Sequence, residues 1–255
     1  MLLKEGQQLN FIPRRIVSLV PSQTELLHYL GLQDETVGIT KFCIHPKEWL
    51  RSKTRVGGTK TLNIAAIKKL QPDLIIANKE ENIKEQIEAL ANDYTVLVTD
   101  VNNVAEALQM IRTIGKITGK AAKAKTLVAA IEAAFLNIRL PNAPVNTAYL
   151  IWNKPYMTIG GDTFINDMLA KAGLKNIFAR KTRYPEVTIA DLQASHCQLI
   201  ILSSEPYPFK QKHIAELQQH LPGTKIILAD GEMFSWYGSR MLLAAEYLQM
   251  VIREA

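Results

Sequence analysis

The sequence predicts an α/β protein made of two related lobes in tandem, and three observations carry that prediction. Asn63–Glu80 and Thr188–Glu205 align without a gap at a fixed offset of 125, with Ile64/Ile189, Ala65/Ala190, Leu74/Leu199, Ile75/Ile200, Ile76/Ile201 and Glu80/Glu205 identical. The flanks correspond too. Ile16–Val20 and a helix ending at Gly31-Leu32 match Ala148–Trp152 and a helix ending at Gly173-Leu174, while Thr95–Thr99 closing on Asp100 matches Lys225–Ala229 closing on Asp230. Lastly, the strands are apolar runs without period-two alternation, separated by helical stretches, which is the pattern of parallel sheets covered on both faces. We therefore expect two Rossmann-like lobes with parallel sheets, joined by a single long backbone helix, with a ligand cleft between the lobes. The expected boundaries are 14–102 for the N-terminal lobe, 103–142 for the helical segment and 143–255 for the C-terminal lobe.

Each element has a local reason. Arg15–Val20 is a buried strand, and Pro21-Ser-Gln-Thr-Glu25 is a helix start in which Ser22 can cap and Glu25 can reach back. Leu26, Leu27, Tyr29 and Leu30 give that helix its buried face before Gly31 stops it. Thr36–Thr40 is a second strand that leads into the loop 41–49, and Val56-Gly-Gly58 is a turn. Helix 63–70, strand 73–77, helix 80–91 and strand 95–99 complete the lobe. Helices 104–117 and 121–138 follow, broken near Gly115 and Gly119. The second would be about 27 Å long at 1.5 Å per residue, enough to bridge two lobes. From Thr147 the strand–helix pattern resumes and runs to a C-terminal helix over 239–254.

Composition excludes several classes. At 47% hydrophobic and 21% charged residues the chain has an ordinary globular make-up, with no apolar run of membrane-spanning length. The net charge of +6 is spread along the chain, and the basic stretch Lys116–Lys125 is interleaved with alanine and threonine on a helix. It reads as a solvated face, so no nucleic-acid partner is expected. The two cysteines, Cys43 and Cys197, are expected to be free thiols. MLLKEGQQLNFIPRR shows no signal-peptide run. The chain as it stands is thus expected in the cytoplasm, and in the periplasm if the sequence has been trimmed.

No catalytic signature is present: GxGxxG, P-loop, HExxH, CxxC and GxSxG are all missing, and Thr158–Asp162 reads as a glycine-rich turn. Cys43 and His45 share a strand face, but two ligands do not make a metal site. Open parallel sheets bind ligands beyond the carboxyl ends of their strands. Those positions hold Ser22, Phe42, His45, Trp49 and Asn78 in the first lobe. The second has Trp152, Asn153, Tyr156, Tyr207, Phe209, Phe234, Trp236 and Tyr237, with Tyr184 ahead of helix 188–195. So many aromatics suit a wide, flat, mostly apolar ligand.

Several stretches together resemble one family. Ile16–Glu25, Val37–Thr40, His45-Pro46, Val56–Gly58, Pro72–Ile76, Tyr149–Trp152, Gly160-Gly161 and Tyr237–Arg240 stand in the order and spacing of the helical-backbone (class III) substrate-binding proteins of ABC importers. That group takes up cobalamin, iron-siderophores and haem. The resemblance implies cobalamin-type aromatic contacts at Phe42, Trp152 and Tyr184, with Ser22, Trp236 and Arg240 on segments that border the ligand, and the strand-end His45 is counted with them as a binding candidate. A family tryptophan falls at about Thr59. The family also presents one glutamate per lobe to its permease, and those positions here are Ala65 and Ala190. Glu80 and Glu205 are possible substitutes, at the opposite ends of their strands.

The resulting expectation is non-catalytic binding of a corrinoid or chelated-iron ligand for an ABC-type uptake system, with no cofactor and no resident metal. An alternative is a cytosolic corrinoid or tetrapyrrole delivery protein without permease docking. A third is a chelatase-like enzyme, for which His45, Asp230 and Glu232 would be the acid/base candidates.

Overall fold

The computed structural model describes residues 1–3, 7 and 9–254. The chain divides into two compact units. One comprises Met1–Val101, Ala105–Ala130 and Tyr237–Arg240, and the other comprises Asn102–Val104, Ile131–Trp236 and Met241–Ala255.

The first unit contains β1 (Leu2–Leu3), β2 (Ile16–Ser18), α1 (Pro21–Leu30), β3 (Thr36–Ile39), α2 (Lys47–Ser52), β4 (Thr54–Arg55), α3 (Ile64–Lys69), β5 (Leu74–Asn78), α4 (Lys84–Ala91) and β6 (Val96–Thr99). The strands form one sheet in the order β1-β6-β5-β2-β3-β4. Every pairing in it is parallel, with Val17 opposite Ile75 and Asn78 opposite Thr99. Val17, Ile75, Ile67 and Leu90 are fully buried in its core. Leu2–Leu3 is too short for a sequence pattern to reveal and adds an edge strand beside Val96 and Leu97.

Local expectations needed three corrections here. Pro21 opens α1 with no side-chain cap, so Ser22 lies inside the first turn and does not cap it. The helix expected from Glu80 begins at Lys84, because Asn78 Oδ1 accepts the backbone N–H groups of Glu80 and Glu81 and holds them in a turn. Trp49, expected in an open loop, is buried on α2 with its ring edge-on to His28 at 5.2 Å.

Helices α5 (Val104–Ile117) and α6 (Ala121–Leu136) follow, and α6 starts in the first unit and ends in the second. The second unit continues with β7 (Val145–Trp152), β8 (Tyr156–Thr158), α7 (Phe164–Lys171), β9 (Leu174–Asn176), β10 (Glu186–Val187), α8 (Ile189–Ala194), β11 (Leu199–Ser203), α9 (Gln211–His220), β12 (Lys225–Ala229), α10 (Glu232–Ser235) and α11 (Met241–Glu254). Its sheet runs β10-β8-β7-β11-β12, with β9 also on β7. This sheet is mostly parallel, as expected, with one departure: β8 is antiparallel to β7 and to β10. Only Asn153–Pro155 separates β7 from β8, a link that can close a hairpin but not a parallel crossover. Gly160 and Gly161 form no free turn but a close backbone approach, where a Cβ on Gly161 would lie 2.2 Å from Ala179 O. The C-terminal helix begins at Met241, because 237–240 packs in the first unit.

The 125-residue repeat is structural. Both the helix pair α3/α8 and the strand pair β5/β11 have bounds related by that offset, and Gln71 (φ 44°) and His196 (φ 50°) occupy the same left-handed position between helix and strand. Among the described residues, no helix is long and apolar enough to cross a membrane.

Candidate functional site

Within each unit the central parallel strands end on one edge of the sheet, and the residues just beyond those ends are the candidates. In the first unit these ends are dominated by buried polar groups. Ser22 and Gln23 are buried in the first turn of α1, and Gln23 Nε2 donates to Thr99 Oγ1. Cys43 Sγ lies buried at 3.0 Å from Thr24 Oγ1 and 3.2 Å from Thr40 Oγ1, and burial pushes its thiol upward. It packs as a small core residue, and His45 is half-buried. Phe42 is 50% exposed, with Lys41 Nζ 5.1 Å from its ring centroid. Thr59 is half-buried, and its carbonyl accepts from Asn82 Nδ2 at 3.0 Å.

Arg240 is held by a carboxylate of its own unit. It is 7% exposed, and its Nε and Nη2 donate in a fork to Glu25 Oε2 and Oε1 at 3.0 and 2.8 Å. The geometry is that of a bidentate ion pair joining 237–240 to α1 inside the first unit. Glu25 is therefore not the reaching-back partner of a helix cap. Tyr237 is buried nearby, and burial raises its phenol, followed by the charges of Glu81 and Glu80. Glu80 is half-buried, with its carbonyl bonded by Lys60 Nζ at 2.6 Å.

In the second unit the ends of β7, β11 and β12 form a mixed aromatic and acidic edge. Trp152 is 40% exposed and meets Tyr207 edge-on at 5.7 Å, and Tyr207 meets Phe209 at 4.8 Å. Asn153 Nδ2 donates to the Tyr207 hydroxyl at 3.3 Å. Trp236 is buried and donates Nε1–H to Glu205 Oε1 at 3.1 Å. Ser235 Oγ donates to the same oxygen at 2.7 Å. Burial raises the Glu205 carboxyl above its ordinary range, and Glu232 and Asp230 push it further the same way. Tyr184 is half-buried. Phe234 is wholly buried against Tyr149, whose hydroxyl donates to Ser203 Oγ at 3.1 Å.

Ala65 and Ala190 are both exposed, in the first turns of α3 and α8. Asn63 caps α3 by accepting from Ala66 N at 3.0 Å. Thr188 and Asp191 form a reciprocal capping box on α8. Among the described residues, no group of three or more His, Cys, Asp or Glu side chains is placed to hold a metal. Sequence reasoning missed the Glu25–Arg240 pair and the anchoring of Glu205. The only advance signal for Glu205 was its identity with Glu80 in the repeat.

Two mostly parallel α/β units with a helix running from one into the other form the class III periplasmic-binding-protein scaffold. Solved structures agree: a periplasmic heme-binding protein from Roseiflexus sp. RS-1 superposes with a TM-score of 0.79 at 20% identity, covering 94% of this chain and 97% of that one. Residues 16–226 match the periplasmic binding protein family model, and the chain belongs to that family. It is 31% identical over 188 residues to an ABC transporter substrate-binding lipoprotein of Bacillus subtilis (strain 168), a match spanning 69% of this chain and 59% of that relative. It is also 23% identical over 244 residues to a vitamin B12-binding protein of Pectobacterium carotovorum, covering 93% of this chain and 87% of the relative.

Proposed function

We propose that this chain binds a corrinoid or chelated-iron ligand without transforming it, as the substrate-binding component of an ABC-type uptake system. Its family supports that reading, as do relatives named for substrate binding in an ABC transporter, for vitamin B12 and for heme. The observation that carries it is the exposure of Phe42 and Trp152, one at a strand end of each unit. Large rings left half in water at such positions supply flat apolar area that a broad ligand can cover. We place the activity in the periplasm, the compartment named for the heme-binding relative, with an ABC permease as partner.

Titration with cyanocobalamin, hemin and a ferric hydroxamate, followed by tryptophan fluorescence, tests the reading. Trp152→Ala and Tyr184→Ala should each weaken binding by about 1–3 kcal/mol through lost ring contact. Unchanged affinity in both variants would remove the proposed site.

A second reading, delivery without permease docking, is favoured by the exposed methyls of Ala65 and Ala190 where the resemblance implies carboxylates. Under it, the paired change Ala65→Glu and Ala190→Glu creates tight docking to a homologous permease that the natural chain lacks. Equal docking by both forms would discard this second reading.

A further inference from the structure

Glu205 is held as a fixed fitting at the end of β11. Its Oε1 accepts from Ser235 Oγ at 2.7 Å and from Trp236 Nε1 at 3.1 Å. Its backbone is tied down as well, because Ser203 Oγ accepts from Glu205 N at 3.3 Å and donates to Glu205 O at 2.6 Å. Gly231 leaves the space: a Cβ there would stand 2.5 Å from both Glu205 Cγ and Ser203 Oγ. The two donors favour the charged carboxylate, but burial, the largest influence, outweighs them. Among the described residues no cation pairs with Glu205, the nearby charges of Glu232 and Asp230 oppose it, and burial disfavours its ionised form. A fold that only needed a hydrogen-bond acceptor there would use a neutral amide at lower cost.

Glu205 is half-buried, and both of its side-chain donors meet Oε1, which leaves the second oxygen as the acceptor for a solute. The same loop continues into Tyr207, whose N–H bonds Ile151 O at 3.3 Å and whose ring supports Trp152. Beside that ring Asn153, 8% exposed, has a buried Oδ1 with no hydrogen-bond partner. The half-exposed Trp152 indole thus shares this edge of the second unit's sheet with the Glu205 carboxylate, whose two side-chain donors both meet Oε1, and with the unpartnered Asn153 Oδ1. The complement is a flat ligand whose rim carries N–H groups. A rim of carboxylates would set like charge against Glu205.

We propose that Glu205, positioned by Trp236, Ser235 and Gly231, is the acceptor that selects metal chelates with rim carboxamides over those with rim carboxylates. This rests on the ligand-binding function proposed above and narrows it.

Glu205→Gln gives the diagnostic variant. The two donors keep Oε1 in its cradle, so the outward oxygen becomes an N–H donor and the preference should invert. Cyanocobalamin, cobyrinic acid (a corrin with carboxylates on its rim) and hemin are titrated into the natural chain, Glu205→Gln and Glu205→Ala, and thermal melting checks that each variant folds. The natural chain should bind cyanocobalamin more tightly than either carboxylate probe. Both variants should lose about tenfold or more for cyanocobalamin, as expected for a hydrogen bond to a charged group. Glu205→Gln alone should gain affinity for the acids. Chelate binding that is indifferent to Glu205→Gln and to the amide-for-acid exchange overturns this inference and leaves the proposed function standing. Failure of the natural chain to bind any of the three overturns both.

Discussion

Residues 63–80 and 188–205 fold into the same helix, left-handed turn and strand, yet the two copies are finished with different side chains. The backbone is repeated because its determinants are repeated: Leu74, Ile75 and Ile76 recur as Leu199, Ile200 and Ile201, all fully buried in the middle of a sheet. A six-residue helix cannot stand alone, so each copy also needs a cap and a core to pack on. The differences include core and cap positions as well as strand ends. At the offset of 125, Ala77 corresponds to Leu202, Asn78 to Ser203 and Ala66 to Asp191. Strand and turn geometry thus tolerates change at its ends, and that is where chemistry can diverge.

Exchanging residues between the copies breaks or sharpens this comparison. The largest effect is expected from Leu202→Ala, which puts the first unit's residue into the second unit's core. Leu202 is fully buried, and the loss should cost about 2–5 kcal/mol in chemical denaturation. A cost well under 1 kcal/mol would mean that the two cores are interchangeable. Next comes Gly231→Ala, where the added Cβ meets Glu205 and Ser203 at 2.5 Å. Overpacking of that kind costs about 1–3 kcal/mol, and Glu205 should be displaced from Trp236 as its indole signal shifts.

Cap removal is smaller. Thr188→Ala should cost about 1 kcal/mol, and more than Asn63→Ala, because only the second copy has a reciprocal box. The two carboxylates of the second copy should then show opposite pH behaviour. The Thr188 hydroxyl, then its backbone N–H, holds the Asp191 carboxyl below its usual range. Its contribution is present above the unfolded chain's carboxylate range and is lost as pH falls through the lowered folded value. Glu205 is the reverse. Burial raises it, so the folded chain keeps that proton to higher pH than the unfolded chain, and stability falls as pH rises through that window. Its surroundings, Glu232, Asp230 and the buried Tyr149 phenol, add no positive charge. Glu205→Gln should therefore melt higher than the natural chain at neutral pH, with the gain vanishing below the ordinary carboxylate range. A variant that melts lower at neutral pH would show that the charge stabilises the fold.

The fold was legible because its signals are local and repeated. Apolar strands between helices, together with one gapless repeat, gave the element order nearly end to end. Features made by distant residues or very short segments were not legible. The antiparallel β8 and β10 are three and two residues long, below any period. The fork between Arg240 and Glu25 joins positions 215 apart. That pairing accounts for the burial of an arginine which the resemblance sets beside the ligand. Trp49 and Trp236 looked like surface aromatics because loops and strand ends are short of pattern, but both are buried. Trp152 and Phe42 remain outward.

Those two rings are the basis of the functional account, and calorimetric titration of cyanocobalamin into the natural chain and into the Phe42→Ala/Trp152→Ala double variant tests it most directly. The account predicts saturable one-to-one binding by the natural chain and at least about a tenfold loss in the double variant. No binding by the natural chain, or equal affinity in both proteins, would contradict it.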